Sequence, residues 1–176
     1  MAPALYLFDA DGTLCDRDTG ELLPHVASWF DGWFRPYSSA RAAIITNQGG
    51  VGLRYSMERD GWGNPAGMPT ASSASRRYHN LAARLGIGRV YIAYAYRFRD
   101  GRWTPTPPGT RYPERWSPAW RKPSGGMVLQ AMSDFRMRDR SRVLLIGDRP
   151  EDEQCALGAG VPFVSADHFF DRRNYE

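Results

Sequence analysis

The sequence predicts an α/β protein built on a three-layer, doubly wound, Rossmann-like parallel sheet. Three observations lead to this fold class. Short apolar runs recur along the chain, segments with a helical pattern lie between them, and polar or glycine-rich residues follow the runs at once. Strands that alternate with helices in this way form a parallel sheet with helices on both faces.

The apolar runs are short and almost continuous, which is typical of parallel strands buried on both faces. They are Ala4–Phe8, Ala42–Ile45, Val90–Tyr94 and Val143–Ile146. The predicted helices between and after them are Val26–Phe34, Ala71–Leu85, Gly126–Phe135 and Glu151–Gly158. Pro123 and Pro150 stand just before the last two helices and favour helix starts there.

Two segments interrupt the alternation. The glycine- and proline-rich segment Arg54–Thr70 is predicted to be a long loop before a helix. The segment Arg97–Arg121, rich in arginine, proline and aromatic residues, is predicted to be an inserted loop. A loop of this length inside a compact domain is usually a lid or a binding loop, and its aromatic content argues against disorder.

The composition fits one domain that covers residues 1–176, because 42% of the chain is hydrophobic. No stretch reaches the about 18 apolar residues that span a bilayer. The N-terminal residues lack the basic region of a signal peptide. Cys15 and Cys155 form no metal-type pair with the three histidines. We therefore expect a cytoplasmic protein with no membrane partner and no structural zinc; a bridge between the two cysteines stays open.

Lysine occurs once in the chain. The net charge is +4, and every basic residue except Lys122 is arginine. Arginine presents a planar fork, whereas lysine presents a compact point charge. The exception indicates that an ammonium group is needed at position 122, although the arginine bias itself can reflect the coding preference of the source organism.

Carboxylates follow two of the predicted strands. Asp9 and Asp11 are two residues apart after the first strand, so both carboxylates face one site, and Gly12 permits a tight turn there. Adjacent carboxylates repel each other unless a cation or a proton lies between them. Asp148, after another strand, offers a third oxygen ligand. Such an oxygen-only set suits Mg²⁺; the alternative is a pair of acidic turn residues that cap the next element.

Two further groups suit a phosphate ligand. Thr46 and Asn47 end the second predicted strand and offer a hydroxyl, an amide and glycine-flanked backbone N–H groups to an anion. Lys122 offers a cation that could neutralise charge growing on a transferring phosphoryl group. Taken singly, Thr-Asn before glycines favours an ordinary turn, and Lys-Pro favours an ordinary loop.

Together, and in order, four segments resemble the motifs of the haloacid dehalogenase (HAD) superfamily. They are Asp9-Ala10-Asp11-Gly12-Thr13-Leu14, Ile45-Thr46-Asn47-Gln48, Arg121-Lys122-Pro123 and Gly147-Asp148-Arg149-Pro150-Glu151-Asp152. The resemblance spans nearly the whole chain. It implies an HAD-like fold and a magnesium-dependent phosphatase that passes through a phosphoaspartyl intermediate.

The resemblance also implies residue roles. Asp9 would be the nucleophile, and Asp11 the acid and then the base; an aspartate there is typical of the superfamily's phosphatases. Thr46 and the Asn47 backbone would bind the phosphoryl group, and Lys122 would bridge Asp9 and the phosphate. The remaining roles are Mg²⁺ ligation by Asp9, the Asp11 carbonyl and Asp148, orientation of Lys122 or of the metal's waters by Asp152, and substrate contact by Arg121.

A resemblance to the capless branch of the superfamily narrows the range of possible substrates. The interval from Leu14 to Ala42 has room for a flap and one helix but for no large cap domain. Thr46-Asn47-Gln48 and Arg121-Lys122-Pro123 resemble histidinol-phosphate and heptose-bisphosphate phosphatases and the 3′-phosphatase domain of polynucleotide kinases. The first two typically carry a Cys/His zinc loop, and residues 97–120 contain neither cysteine nor histidine.

Two features favour nucleic-acid ends as the substrate. Val161-Pro162-Phe163 followed by His168-Phe169-Phe170 resembles the C-terminal pattern of polynucleotide 3′-phosphatases. The inserted loop also mixes arginines with aromatic rings, a composition that binds single strands. The candidate contacts are Arg102, Trp103, Arg115 and Trp116.

Several alternatives stay open at this point. The loop can instead be a proline-stiffened lid whose aromatic residues pack on the domain, since the net charge is modest for a nucleic-acid binder. The chain can also be a phosphatase of small metabolites such as sugar, nucleotide or histidinol phosphates, or a non-catalytic module that binds phosphate or nucleic acid. It contains no P-loop motif, so we expect DNA-repair end processing, if any, without a kinase activity.

Overall fold

The computed structural model describes residues 2–34 and 41–171. Its strands are β1 (Leu5–Phe8), β2 (Arg41–Asn47), β3 (Arg89–Ala93), β4 (Val143–Gly147) and β5 (Phe163–Ser165). Its helices are α1 (Pro24–Trp29), α2 (Gly49–Asp60), α3 (Ala71–Leu85), α4 (Gly126–Asp134), α5 (Pro150–Ala159) and α6 (Ala166–Phe169), and a π-helical turn, Phe30–Phe34, continues α1. The predicted α/β class is confirmed.

The five strands form one sheet in the order β3-β2-β1-β4-β5, and every neighbouring pair is parallel. The apolar runs of the sequence account for β1 to β4 because each strand is buried on both of its faces. The strand order reverses between β1 and β4, and in open α/β sheets a crevice for ligands forms beyond the strand ends at such a point.

Helices cover both faces of the sheet, which makes the molecule three-layered. On one face, Phe8, Ile44 and Ile92 of the sheet join a large buried cluster with α1, α3 and α6. On the other face, Leu7 and Leu145 join a second cluster with α4 and α5. Alternate residues of a strand point to opposite faces, so a single apolar run supplies both clusters.

The prediction of a loop over Arg54–Thr70 is wrong for its first part, because Arg54–Asp60 belongs to α2. This helix starts directly after β2, at Gly49, and buries Val51, Gly52 and Ser56. The glycines at its start made the sequence pattern unlike that of a helix, since glycine is unfavourable in a helix unless packing compensates. Strand β5 was also not predicted, because a three-residue edge strand has too few residues to show a pattern.

The inserted segment Arg97–Arg121 is packed on the domain. An isolated bridge joins Arg97 to Trp103, and the indole N–H of Trp120 donates to the Ile92 carbonyl at 3.1 Å. The Trp116 ring packs against Tyr55 and Tyr94, with ring centroids 5.6 and 5.5 Å apart. These contacts of Trp116 and Trp120 agree with the alternative of a proline-stiffened lid whose aromatic residues pack on the domain.

Cys15 and Cys155 are buried free thiols that lie in the two different core clusters, on opposite faces of the sheet. The bridge that the sequence left open is therefore absent from this structure. Among the described residues, no helix is both long and apolar enough to span a membrane.

Candidate active site

A buried ion-pair cluster lies where β1 and β2 end. The Lys122 ammonium is 2.5 Å from Asp9 Oδ1 and 2.6 Å from Asp152 Oδ1. It also donates to the Ile45 carbonyl at 3.3 Å. Lys122 is 3% exposed and Asp9 6%, so this charge pair is shielded from water and interacts strongly. A carboxylate in this position has the room and the partner to act as a nucleophile.

Lys122 is placed by a reciprocal contact with the end of β2. The Asn47 side chain donates to the Lys122 carbonyl at 2.9 Å, and the Lys122 N–H donates to Asn47 Oδ1 at 3.0 Å. These two bonds fasten the loop before α4 to β2. Asn47 therefore acts here through its side chain, whereas the resemblance assigned it a backbone role toward phosphate.

The pKa values in the cluster follow from burial and charge. Burial raises the pKa of Asp9 above its usual range, although the Lys122 ammonium opposes this shift. The pKa of Lys122 is raised above its usual range: burial alone would lower it, and the charges of Asp9 and Asp152 outweigh that effect. Lys122 is thus a permanent cation beside the candidate nucleophile.

Carboxylate oxygens of Asp9, Asp148 and Asp152 lie within 4.8 Å of one another. Asp148 follows β4 and Asp9 follows β1, so the switch point of the sheet brings them together. Hard oxygen ligands of this kind fit a small divalent cation such as Mg²⁺. The guanidinium of Arg17 contacts one of these carboxylates, at 2.8 Å from Asp148 Oδ2, and lies 3.4 Å from the backbone carbonyl of Asp11. A cation thus already finds favourable ligands here.

Gly12 is required at this point for two reasons. Its φ of +91° is in the region that side chains rarely adopt, and a Cβ would lie 2.4 Å from Asp148 Oδ2. The turn after Asp11 can therefore approach Asp148 only with glycine at position 12.

The cluster opens into a cleft of about 170 Å³. Thr46, which is almost fully buried, lines it beside the start of α2, where backbone N–H groups lack helical partners. The lining residues are Asp9, Asp11, Arg17, Thr46, Asn47, Arg121, Lys122, Arg149, Glu151 and Asp152. The cleft thus combines buried carboxylates with several cations and a threonine hydroxyl, groups that could bind and stabilise a phosphoryl group.

Asp11 is held by residues outside the motif that contains it. Its Oδ2 accepts hydrogen bonds from the Tyr78 hydroxyl at 2.7 Å and from Gln48 Nε2 at 2.8 Å. Its Oδ1 lies 3.2 Å from Arg77 Nη2 and 3.6 Å from the Cys15 thiol. Burial raises the pKa of Tyr78 far above its usual range, and the Asp11 charge adds to this, so the phenol stays a donor.

The structure brings together most of the predicted site residues. Those that line the cleft are Asp9, Asp11, Thr46, Asn47, Arg121, Lys122 and Asp152, and Asp148 joins them through its distances to Asp9 and Asp152. Arg121 is largely buried and donates to the Ala95 carbonyl at 3.2 Å. Burial lowers its pKa, although the charge of Glu151 opposes the shift.

The four proposed nucleic-acid contacts are absent from the cleft lining, and one of them is wrong. Trp116 is 7% exposed and packed between Tyr55 and Tyr94, so its ring cannot stack on a base. The Arg115 guanidinium lies 4.4 Å from the centroid of the Tyr112 ring. Arg102 and Trp103 remain toward the surface, and the Arg102 side chain is 78% exposed.

Sequence reasoning missed several residues of the site. Arg17, Arg149 and Glu151 line the cleft, and their only signal was their position inside or next to the motifs. Arg77 and Tyr78 gave no signal at all. On the amphipathic helix α3, a tyrosine at a core position and an arginine beside it look like ordinary packing and solvation.

Comparison with known families supports one part of the motif resemblance. Residues 119–166 match the family model described as HAD-hydrolase-like. This segment holds Lys122, Asp148 and Asp152, the residues assigned to the third and fourth motifs. Among curated proteins, none matches the chain significantly.

Several solved structures are similar at low sequence identity. The 4-nitrophenylphosphatase of Thermotoga maritima shares 14% identity over 93% of this chain and 85% of its own, with a TM-score of 0.47. NagD of Escherichia coli K-12 shares 14% identity over 93% and 87%, with a TM-score of 0.44. A candidate phosphoglycolate phosphatase of Lactobacillus delbrueckii shares 12% identity over 82% and 41%, with a TM-score of 0.41. The chain spans 66% of a further matched structure.

Proposed function

We propose that this chain is a Mg²⁺-dependent phosphomonoester hydrolase that uses Asp9 as its nucleophile. The observation that carries the proposal is the buried contact of Lys122 with both Asp9 and Asp152, beside Asp148 and Thr46 in one cleft. The HAD-hydrolase-like match of residues 119–166 supports the same class of reaction.

In the first step, an Asp9 carboxylate oxygen attacks phosphorus and the bond from phosphorus to the leaving oxygen breaks. The leaving oxygen takes a proton from the Asp11 carboxyl group, and the phosphoryl group becomes an acyl phosphate on Asp9. Lys122 and the Thr46 hydroxyl stabilise the negative charge on the phosphoryl oxygens during this transfer.

In the second step, a water molecule attacks the phosphorus of the acyl phosphate. Asp11, now a carboxylate, takes the proton of this water, and the bond from phosphorus to Asp9 oxygen breaks. Inorganic phosphate leaves and both aspartates return to their starting states. Two easier steps replace one difficult hydrolysis, which is the advantage of covalent catalysis.

The metal would be held by Asp9, Asp148 and the Asp11 carbonyl, with Asp152 close by. When bound, Mg²⁺ neutralises charge on the phosphoryl group and on the adjacent carboxylates. Asp152 also fixes Lys122 through its contact at 2.6 Å, so it orients the ammonium toward Asp9.

The test is phosphate release from an aryl phosphate by the wild type and by Asp9→Asn, with Mg²⁺ and with a chelator. We expect turnover by the wild type that stops on chelation, and a rate lower by several orders of magnitude in Asp9→Asn. Equal rates for the two proteins would remove the assignment of Asp9. A protein without turnover under any condition would instead be the non-catalytic phosphate or nucleic-acid binding module.

For the substrate, we propose 3′-phosphate ends of DNA or RNA, which would make the chain an end-repair enzyme. Three arginines, at 17, 121 and 149, line the cleft around Lys122 and could contact neighbouring backbone phosphates. Outside the cleft, Trp103 has the Arg97 guanidinium 6.0 Å from its ring centroid, and Arg102 is exposed. The Arg102 guanidinium pairs with Asp100 at 2.7 Å, and a phosphate of a strand that continues from the cleft would compete for it.

A matched panel separates this substrate from small metabolites. It contains a 3′-phosphorylated oligonucleotide, its 5′-phosphorylated counterpart, mononucleotides, histidinol phosphate and sugar phosphates. We expect a preference for the 3′-phosphorylated oligonucleotide that weakens with salt. A preference for one small metabolite would keep the chemistry and replace the proposed substrate. Such a result would fit the packed state of Trp116 and Trp120.

A further inference from the structure

Helix α3 contributes two side chains that touch the candidate acid and base. Tyr78 is 1% exposed, its ring lies in the core, and its hydroxyl reaches Asp11 Oδ2 at 2.7 Å. Arg77 precedes it on the helix and reaches Asp11 Oδ1 at 3.2 Å. The two oxygens of one carboxylate are thus bound from the same helix, so its rotation is restricted.

The turn after Asp11 is built around the same arginine. Arg77 Nη2 lies 3.4 Å from the Arg17 carbonyl, and the Arg77 guanidinium fills the space next to Gly20. A Cβ on Gly20 would lie 2.9 Å from Arg77 Cζ, and the φ of Gly20 is +75°. The segment that follows Asp11 therefore leaves room for Arg77, which is a second observation independent of the Asp11 contact.

We propose that Tyr78 and Arg77 are positioning residues that hold the Asp11 carboxylate for both of its proton transfers. This inference rests on the proposed function. Neither residue lies in a segment that resembles an HAD motif, and neither lines the cleft. They act through Asp11, whose carboxylate also accepts from Gln48 Nε2 and, more weakly, from the Cys15 thiol.

Removing a positioning contact affects the two chemical steps unequally. Nitrophenolate leaves without help from an acid, so formation of the acyl phosphate from nitrophenyl phosphate needs Asp11 little. Attack by water still needs Asp11 as a base. A misplaced Asp11 should therefore slow the second step more than the first, and the phosphorylated protein should accumulate.

The experiment is rapid mixing of nitrophenyl phosphate with the wild type, Tyr78→Phe, Arg77→Met and Tyr94→Phe. Tyr94 is the matched control, because its buried hydroxyl donates to the Ala71 carbonyl and not to a site residue. We expect Tyr78→Phe and Arg77→Met to release nitrophenolate in a burst whose amplitude equals the molar amount of folded protein. The steady rate that follows should be about 10- to 100-fold below that of the wild type. With an alkyl phosphate as substrate, the two variants should lose the same or a larger factor in steady rate, and no burst of the alcohol product should appear. Tyr94→Phe should behave as the wild type.

Three other outcomes overturn the inference. If Tyr78→Phe matches Tyr94→Phe, Tyr78 does not position Asp11. If the burst and the steady rate of Tyr78→Phe both fall in proportion to the folded fraction, the role of Tyr78 is structural. The Arg77 side chain is 40% exposed, so its removal disturbs folding less, and Arg77→Met then decides whether α3 acts on Asp11 at all. A wild type that hydrolyses no phosphate removes the proposed function as well, so the two failures are distinguishable.

Discussion

Lys122 is the residue on which the charge balance of the site depends. It is the one lysine of the chain, and its single ammonium contacts both Asp9 and Asp152 in a buried environment. An arginine fork would need more space and more acceptors than this point contact provides. The need for a compact cation explains why the chain departs from arginine at this position.

Replacing Lys122 with methionine should therefore cost stability as well as activity. Breaking a buried ion pair leaves an uncompensated charge, which costs about 3–5 kcal/mol. We expect a loss of this order in the free energy of unfolding, measured by denaturant titration without metal. The double variant Lys122→Met/Asp152→Asn should recover part of it, because one buried charge is then removed. A Lys122→Met protein as stable as the wild type would contradict the buried pair.

Arg17 occupies part of the proposed metal site. Its guanidinium contacts Asp148 Oδ2 and approaches the Asp11 carbonyl, two of the groups proposed for Mg²⁺. Metal and guanidinium therefore compete for the same oxygens. Arg17→Ala should bind Mg²⁺ or Mn²⁺ up to about fivefold more tightly in calorimetric titration, since a partly exposed ion pair is worth up to about 1 kcal/mol.

The control for this prediction is Arg142→Ala, which removes an equal charge next to the amino end of β4, at the opposite edge of the sheet. Its metal affinity should equal that of the wild type. Unchanged or weaker binding by Arg17→Ala would show that Arg17 does not compete with the ion.

At the scale of elements, α2 connects the cleft to the inserted segment. The helix begins beside Thr46 and packs through Gly52 on the chain that leaves β3. The inserted segment is fastened to the same strand, because Tyr94 N–H donates to the Arg115 carbonyl at 2.6 Å. The start of α2, β3 and the inserted segment thus form one packed unit beside the cleft.

The close packing of α2 predicts a steric effect at Gly52. A Cβ there would lie 2.3 Å from the Tyr94 carbonyl oxygen, which is backbone and cannot move easily. Gly52→Ala should lower the free energy of unfolding by about 1–3 kcal/mol. Gly158→Ala in α5 is the matched control, because its Cβ meets nothing within 4 Å. It should stabilise the protein by about 0.5–1 kcal/mol. Equal effects of the two variants would contradict the close approach of α2.

Of the four proposed nucleic-acid contacts, Arg102 and Trp103 lie toward the surface of the inserted segment, so their replacement tests whether this segment binds nucleic acid. The double variant Arg102→Ala/Trp103→Ala should lose salt-sensitive affinity for an oligonucleotide in fluorescence anisotropy, with about 1–3 kcal/mol from a stacked ring. Its turnover of an aryl phosphate should stay unchanged. Oligonucleotide affinity equal to that of the wild type would leave the segment as a packed lid.

At the scale of the whole molecule, four strands and most of the site followed from the sequence because both depend on local patterns. Apolar runs marked β1 to β4, and the residues after them marked the cleft. Helix α2 was not predicted because its glycines are unfavourable in helices; here they are tolerated because the helix packs closely at Gly52. Tyr78 and Arg77 reach Asp11 only through the packing of α3 on the sheet, and no local pattern contains that contact.

Chemical trapping can show whether Asp9 carries the phosphoryl group during turnover. Sodium borohydride reduces an aspartyl phosphate to homoserine, which mass spectrometry locates in the sequence. During turnover of an aryl phosphate with Mg²⁺, we expect homoserine at position 9 in the wild type and none in Asp9→Asn. Turnover with no homoserine at position 9, or with homoserine at another aspartate, would contradict this role of Asp9.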